Sequence, residues 1–220
     1  MNWSRSIDIY CERLDATYWA EPVNAVSNAA FLIAAFVMFR RMNGMRIPLG
    51  NALVAILTAI GIGSFLFHTH ATTWASLTDV VPIGLFILLY LFIANREFAE
   101  FPALVSLAGT LLFIPYAAVV TSLADLLPFF SISNFYWSVP ILLFSYAFAL
   151  RTKIPETAKG MAIGGTILSI SITIRSLDMP ICDAFPLGIH FIWHCLNGLM
   201  LGWMIEVYRR HRLAASLQQR

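Results

Sequence analysis

The sequence predicts an all-α membrane protein, a single bundle of seven transmembrane helices with the N-terminus outside and the C-terminus in the cytoplasm. Three observations carry this expectation. Of 220 residues, 59% are hydrophobic and 12% are charged, about half the ~25% charge of soluble domains. The mean hydropathy is +0.76. The apolar residues also gather into seven runs near the ~20 residues needed to cross a bilayer, at 22–40, 49–68, 78–95, 101–121, 135–150, 159–175 and 186–208. The connections are short, so residues 1–220 read as one domain, and no polar stretch is large enough to form a second core.

The basic residues set the orientation, because Lys and Arg collect on the cytoplasmic side. The segment before the first span and the loops after the second, fourth and sixth hold Arg5, Arg13 and Arg175. The opposite side holds Arg40, Arg41, Arg46, Arg96, Arg151, Lys153, Lys159, Arg209, Arg210, Arg212 and Arg220. Residues 1–21 are then an extracytoplasmic acidic segment, and 209–220 a basic cytoplasmic tail. No basic n-region followed by an apolar h-region precedes the first span, so no cleavable signal peptide is expected and that span is the targeting signal. The reading is a multi-pass integral membrane protein, in the cell (inner) membrane if the compact loops mean a bacterial source. Nothing in the chain suggests nucleic-acid binding or an obligate protein partner.

Taken in order, the spans differ in the polar residues they carry. The second runs outward and ends in Gly63-Ser64-Phe65-Leu66-Phe67-His68. The third starts outside, with Asp79 in its first turn. The fifth begins with Tyr136 at its outer end. The seventh enters from outside with His190 and His194, four residues apart and so on one helix face. Ser64, His68, Asp79, His190 and His194 therefore share one depth, and intramembrane ionisable residues are functional suspects.

Each also has a plainer explanation. A single histidine in a bundle usually packs and hydrogen-bonds. Ser64 in a Gly-rich helix permits close helix approach, Asp79 could cap the third helix, and Tyr136 could be an interfacial anchor. Together the residues suit hydrolysis. Three imidazoles hold zinc with one position open, and zinc activates water and polarises a carbonyl. Asp79 can move a proton from water to a leaving amine, while Ser64, with Tyr136 as a second donor, can stabilise an oxyanion. The expected substrate is a membrane lipid with an amide or ester carbonyl.

At these residues the chain resembles the alkaline ceramidase family of the CREST superfamily of seven-helix membrane hydrolases. The family's Gly-Ser-x-x-x-His is Gly63 to His68, its aspartate is Asp79 followed by Val81-Pro82, and its H-x-x-x-H with tryptophan is His190-Phe191-Ile192-Trp193-His194. Tyr10-Cys11-Glu12 and Glu21-Pro22-Val23-Asn24-Ala25-Val26-Ser27-Asn28 are similar to its N-terminal segments. The resemblance implies zinc on His68, His190 and His194, with Asp79 and Ser64 catalytic, cleaving the amide of ceramide or a related N-acyl lipid to a fatty acid and a sphingoid base or other amine. It also implies a calcium site, for which Asp8, the Tyr10 carbonyl, Glu12, Asp15 and Glu21 are the candidate ligands, and a disulfide between Cys11 and Cys182. Both cysteines fall on the outer side, where pairing is permitted. Cys195 is expected to be buried packing.

Two other classes compete. The related progestin and adiponectin receptor proteins share the constellation and would make this a lipid sensor, though their opposite topology counts against it. A haem-bearing anchor would use the histidines as iron ligands and leave Ser64 and Asp79 without a role.

Overall fold

The computed structural model describes residues 2–218, and every helix or strand element named among them is helical. Arg220, counted above with the cytoplasmic charges, lies outside the described residues. The body consists of α1 (Pro22–Met42, with a one-residue turn at Asn28), α2 (Gly50–His70), α3 (Thr73–Phe98), α4 (Ala103–Ala124), α5 (Asn134–Leu150), α6 (Pro155–Leu177) and α7 (His190–Gln218). Five of them, α1 to α4 and α6, are long and apolar enough to cross a membrane. This marks a multi-pass membrane protein. The α5 segment is apolar but shorter, and the first turns of α7 carry two histidines, which lower its hydropathy.

Consecutive helices pack on one another, and α1 also packs on α7, closing the bundle into a ring. The main core cluster runs through this ring, from Phe31 and Leu53 to Ile172, Ile205 and Tyr208. Outward faces remain apolar: Phe36 is 64% exposed, Leu104 78% and Phe148 68%. Apolar side chains on the outside of a bundle are what lipid contact requires.

Two departures from expectation matter. The third helix begins at Thr73, with Thr72 at its N-cap, so Asp79 sits in the second turn and the capping role does not apply. Cys195 is exposed on α7 rather than buried in packing. The segment after Tyr208 continues the α7 helix to Gln218. At that end Glu206 gathers Arg41, Arg209 and Arg210.

Two glycines set the helix spacing that positions the site. A Cβ on Gly63 would lie 1.9 Å from the carbonyl oxygen of Thr78. That oxygen is four residues before Pro82, which has no N–H to bond it. Pro82 thus frees a carbonyl on α3, Gly63 lets it approach α2, and the neighbouring residues Asp79 and Ser64 are drawn together. On the other side, a Cβ on Gly198 would meet the Ala30 backbone at 2.9 Å, so α1 and α7 also touch closely.

Gly63→Ala should therefore destabilise the protein by about 1–3 kcal/mol through overpacking. Gly84→Ala, where a Cβ meets nothing within 4 Å, should be neutral or stabilising by up to about 1 kcal/mol. Thermal unfolding in detergent separates the two.

Candidate metal centre

His68 in the last turn of α2 and His190 and His194 in the first two turns of α7 bring one ligand nitrogen each to within 4.8 Å of one another. Each histidine is 1% exposed. Their ring centroids are 4.6 Å apart for His190 and His194, 4.7 Å for His68 and His194, and 5.2 Å for His68 and His190. Three rings converging this closely leave no space between them for a porphyrin, whose axial ligands must lie on opposite faces.

The neighbours of two histidines dictate which nitrogen is left over. Ser27 Oγ donates its one proton to the Asn24 carbonyl at 2.8 Å, so at 2.7 Å from His194 it accepts from Nδ1–H. His194 Nε2 then carries the lone pair, and it is buried with no hydrogen-bond partner. His68 Nδ1 lies 2.5 Å from Glu21 Oε2. Burial would raise the Glu21 carboxyl, but the hydrogen bonds from His68 and Arg13 and the charge of Arg13 outweigh it and hold it below the ordinary carboxylate range. An ionised Glu21 can only accept, so His68 donates through Nδ1 and its Nε2 lone pair remains. His190 Nδ1 is likewise buried without a partner. Partnerless buried nitrogens are rare unless something absent fills the site. A set of three imidazoles, two of them oriented by other side chains, fits a metal ion such as zinc.

The other residues singled out from sequence fall around this point. Ser64 is buried one turn before His68. Asp79 lies within electrostatic range of Ser64, His68 and Arg175. Ser64, Asp79, Tyr136, His190 and His194 line a single, partly open cavity. Tyr136 belongs to the cavity wall, its ring packed edge-on against Trp193 with centroids 5.1 Å apart. Below the polar end the cavity is apolar and follows α3 from Asp79 to Ala94, about 22 Å of helix at 1.5 Å per residue.

The N-terminal segment covers the polar end. Tyr10 stacks on His190 with ring centroids 3.7 Å apart, and its buried phenol is pushed above its ordinary pKa by desolvation. Cys11 and Cys182 form a disulfide that ties this segment to the loop before α7. Asp178 reinforces the tie. Its carboxylate accepts from the backbone N–H of Cys11 at 3.0 Å, of Ile189 at 2.7 Å and of His190 at 2.9 Å.

The five oxygen donors considered for calcium do not gather into one site. Glu12 spends both carboxylate oxygens on the amides of Val23 and Asn24 at the start of α1. Asp15 turns to Thr17 in its own loop, the Tyr10 carbonyl accepts from the Arg13 amide, and Asp8 is exposed. Glu21 is taken up by Arg13 and His68.

Several residues at the site were not read as such from sequence: Ser27, Arg175, Asp178 and the rings of Tyr10 and Trp193. For Ser27 a signal existed, since Glu21, Asn24, Ser27 and Asn28 recur at helical spacing in an otherwise apolar stretch. Arg175 gave none, because its contacts with Ser133 and Tyr10 join elements far apart in sequence.

Fold and site together define a membrane-embedded helical bundle with a three-histidine centre at the polar end of a long apolar cavity. The chain matches the ceramidase family over residues 6–219 and belongs to that family, a membership that supports hydrolysis of ceramide. No individual curated protein matches it.

Asp178→Ala would strand three backbone N–H groups at the mouth of the centre. At about 1–3 kcal/mol for each of the three groups, it should cost at least about 3 kcal/mol, read as a lower thermal midpoint in detergent, while Asp183→Ala, in the same loop, should leave the midpoint unchanged.

Proposed function

We propose that this protein is a zinc-dependent intramembrane amidase. It cleaves the amide of ceramide or a related N-acyl lipid to a free fatty acid and an amine. The observation that carries the reading is the pairing of an oriented three-histidine centre with an apolar cavity at its foot. A soluble amide has no use for such a cavity, whereas an acyl chain laid along α3 would place its carbonyl beside the histidines.

His68, His190 and His194 would hold the metal. Bound there, zinc supplies Lewis acidity, lowering the pKa of water to about 7 and polarising a carbonyl. The protein's own groups do the rest. Asp79 takes a proton from the attacking water and returns it to the leaving nitrogen, which must depart as an amine. Ser64, one turn from His68, donates to the oxygen that gains negative charge, and Tyr136, which lines the same cavity, offers a second donor. Tyr10 and the disulfide-tied loop keep bulk water from the polar end. Glu21 and Ser27 hold His68 and His194 with their lone pairs inward.

The bundle is read as seven spans with the histidine end outside. The charge distribution supports this, and so does the Cys11–Cys182 bridge at that end, since disulfides persist in oxidising compartments. Ceramide is the substrate that the family membership favours. An N-acyl amino lipid presents the same amide to the same groups.

Hydrolysis of ceramide and of N-acyl amino lipids by the purified protein tests the reading. Asp79→Asn should reduce kcat by at least about 100-fold with the metal retained; full activity in this variant would remove the proton-shuttle role. Ala94→Leu, at the far end of the cavity, should shift preference toward shorter acyl chains without changing the metal content, which a competition assay between short and long substrates would register.

A further inference from the structure

We infer that Arg13 is a built-in cation that fixes the N-terminal segment against the metal centre, and that the protein needs no calcium for this purpose. The inference rests on the proposed zinc site and assigns Arg13 a positioning role toward it.

Arg13 is 6% exposed, and its guanidinium is shared among three elements. Nε donates to Glu21 Oε1 at 2.5 Å, Nη1 to the Asp15 carbonyl at 3.1 Å and Nη2 to the His68 carbonyl at 3.0 Å. One carboxylate and two carbonyls are the kind of oxygen set that a hard divalent cation collects. Here a planar cation with fixed donor directions has gathered them instead. A calcium ion approaching Glu21 would lie beside a buried positive charge, and repulsion at that range is severe in a poorly screened site. The remaining oxygens that calcium could recruit are already bonded or, in Asp8, exposed.

The arrangement also explains how the segment acts on the site. Glu21 is held by Arg13 through one oxygen and accepts from His68 Nδ1 through the other. Arg13 therefore sets the Glu21 rotamer, Glu21 sets the His68 ring, and the ring presents Nε2 inward. Through its third bond Arg13 also satisfies a carbonyl in the last turn of α2, where a positive charge is favourable. Unlike a bound ion, this cation cannot be stripped by a chelator or diluted away.

The test uses the full-length protein purified in EGTA and measures zinc affinity by chelator competition, with calcium binding followed by titration calorimetry. Wild type should hold zinc, give no calcium-binding heat and show the same thermal midpoint in millimolar calcium as in EGTA. Arg13→Gln should bind zinc about 10–100-fold more weakly, with Arg13→Lys recovering part of the loss. Calcium binding by wild type, a calcium-raised midpoint, or undiminished zinc affinity in Arg13→Gln would overturn the inference. Should Arg13→Gln fail to fold, Glu21→Gln stands in for it and must show the same loss. Wild type without zinc would defeat the proposed function, and the calcium titration would then judge this inference alone.

Discussion

Three imidazoles aimed at one point inside an apolar bundle are the constraint on which the rest of the structure depends. Each buried nitrogen without a partner costs about 1–3 kcal/mol, and two such nitrogens lie within one site. The arrangement is tolerable only if something binds there, and it persists only if the rings cannot turn away. Glu21 and Ser27 prevent turning for His68 and His194, and Tyr10 packs flat against His190. The helices that carry the rings are fixed in turn by bare backbone contact, α2 on α3 at Gly63 and α1 on α7 at Gly198.

The N-terminal segment belongs to this machinery although it precedes the first helix. It reaches the centre through three kinds of bond. The Cys11–Cys182 bridge is covalent, Asp178 binds the backbone on both sides of that bridge, and Arg13 joins Glu21 to the end of α2. Together they close the polar end of the cavity while leaving its long apolar part open along α3. A hydrolase acting on a lipid needs both features, since water must be rationed at the carbonyl and the acyl chain must be kept in a dry slot.

Much of this was legible in the sequence. Apolar runs give the helix positions to within about five residues except at the end of α7, which continues past the run to Gln218 because its last turns are basic and polar, and the shared depth of Ser64, His68, Asp79, His190 and His194 follows from run boundaries alone. Asp79 reads a turn too early from sequence because Thr73-Trp74-Ala75-Ser76 is polar enough to pass for loop, whereas Trp74 packing and the carbonyls of Trp3 and Arg5, which accept from the Trp74 and Thr73 amides, hold the first turn. Cys195 was read as buried, yet it faces outward one residue after His194, a difference of about 100° around the helix. The acidic residues before α1 are calcium candidates only through the family resemblance, since sequence shows charge but not pairing. Arg13, in their midst, had been counted only as a marker of sidedness, and its bonds to Glu21 and His68 depend on a loop path that no local pattern encodes. The contacts of Arg175 and Asp178 at the site are hidden from sequence for the same reason.

The most direct test of the account is the zinc content per chain of detergent-purified wild type, measured by elemental mass spectrometry beside the His190→Ala/His194→Ala double variant. It asks about the centre without requiring the correct lipid. The account predicts about one zinc per wild-type chain and none in the variant. Equal zinc in both, or none in either, would contradict it.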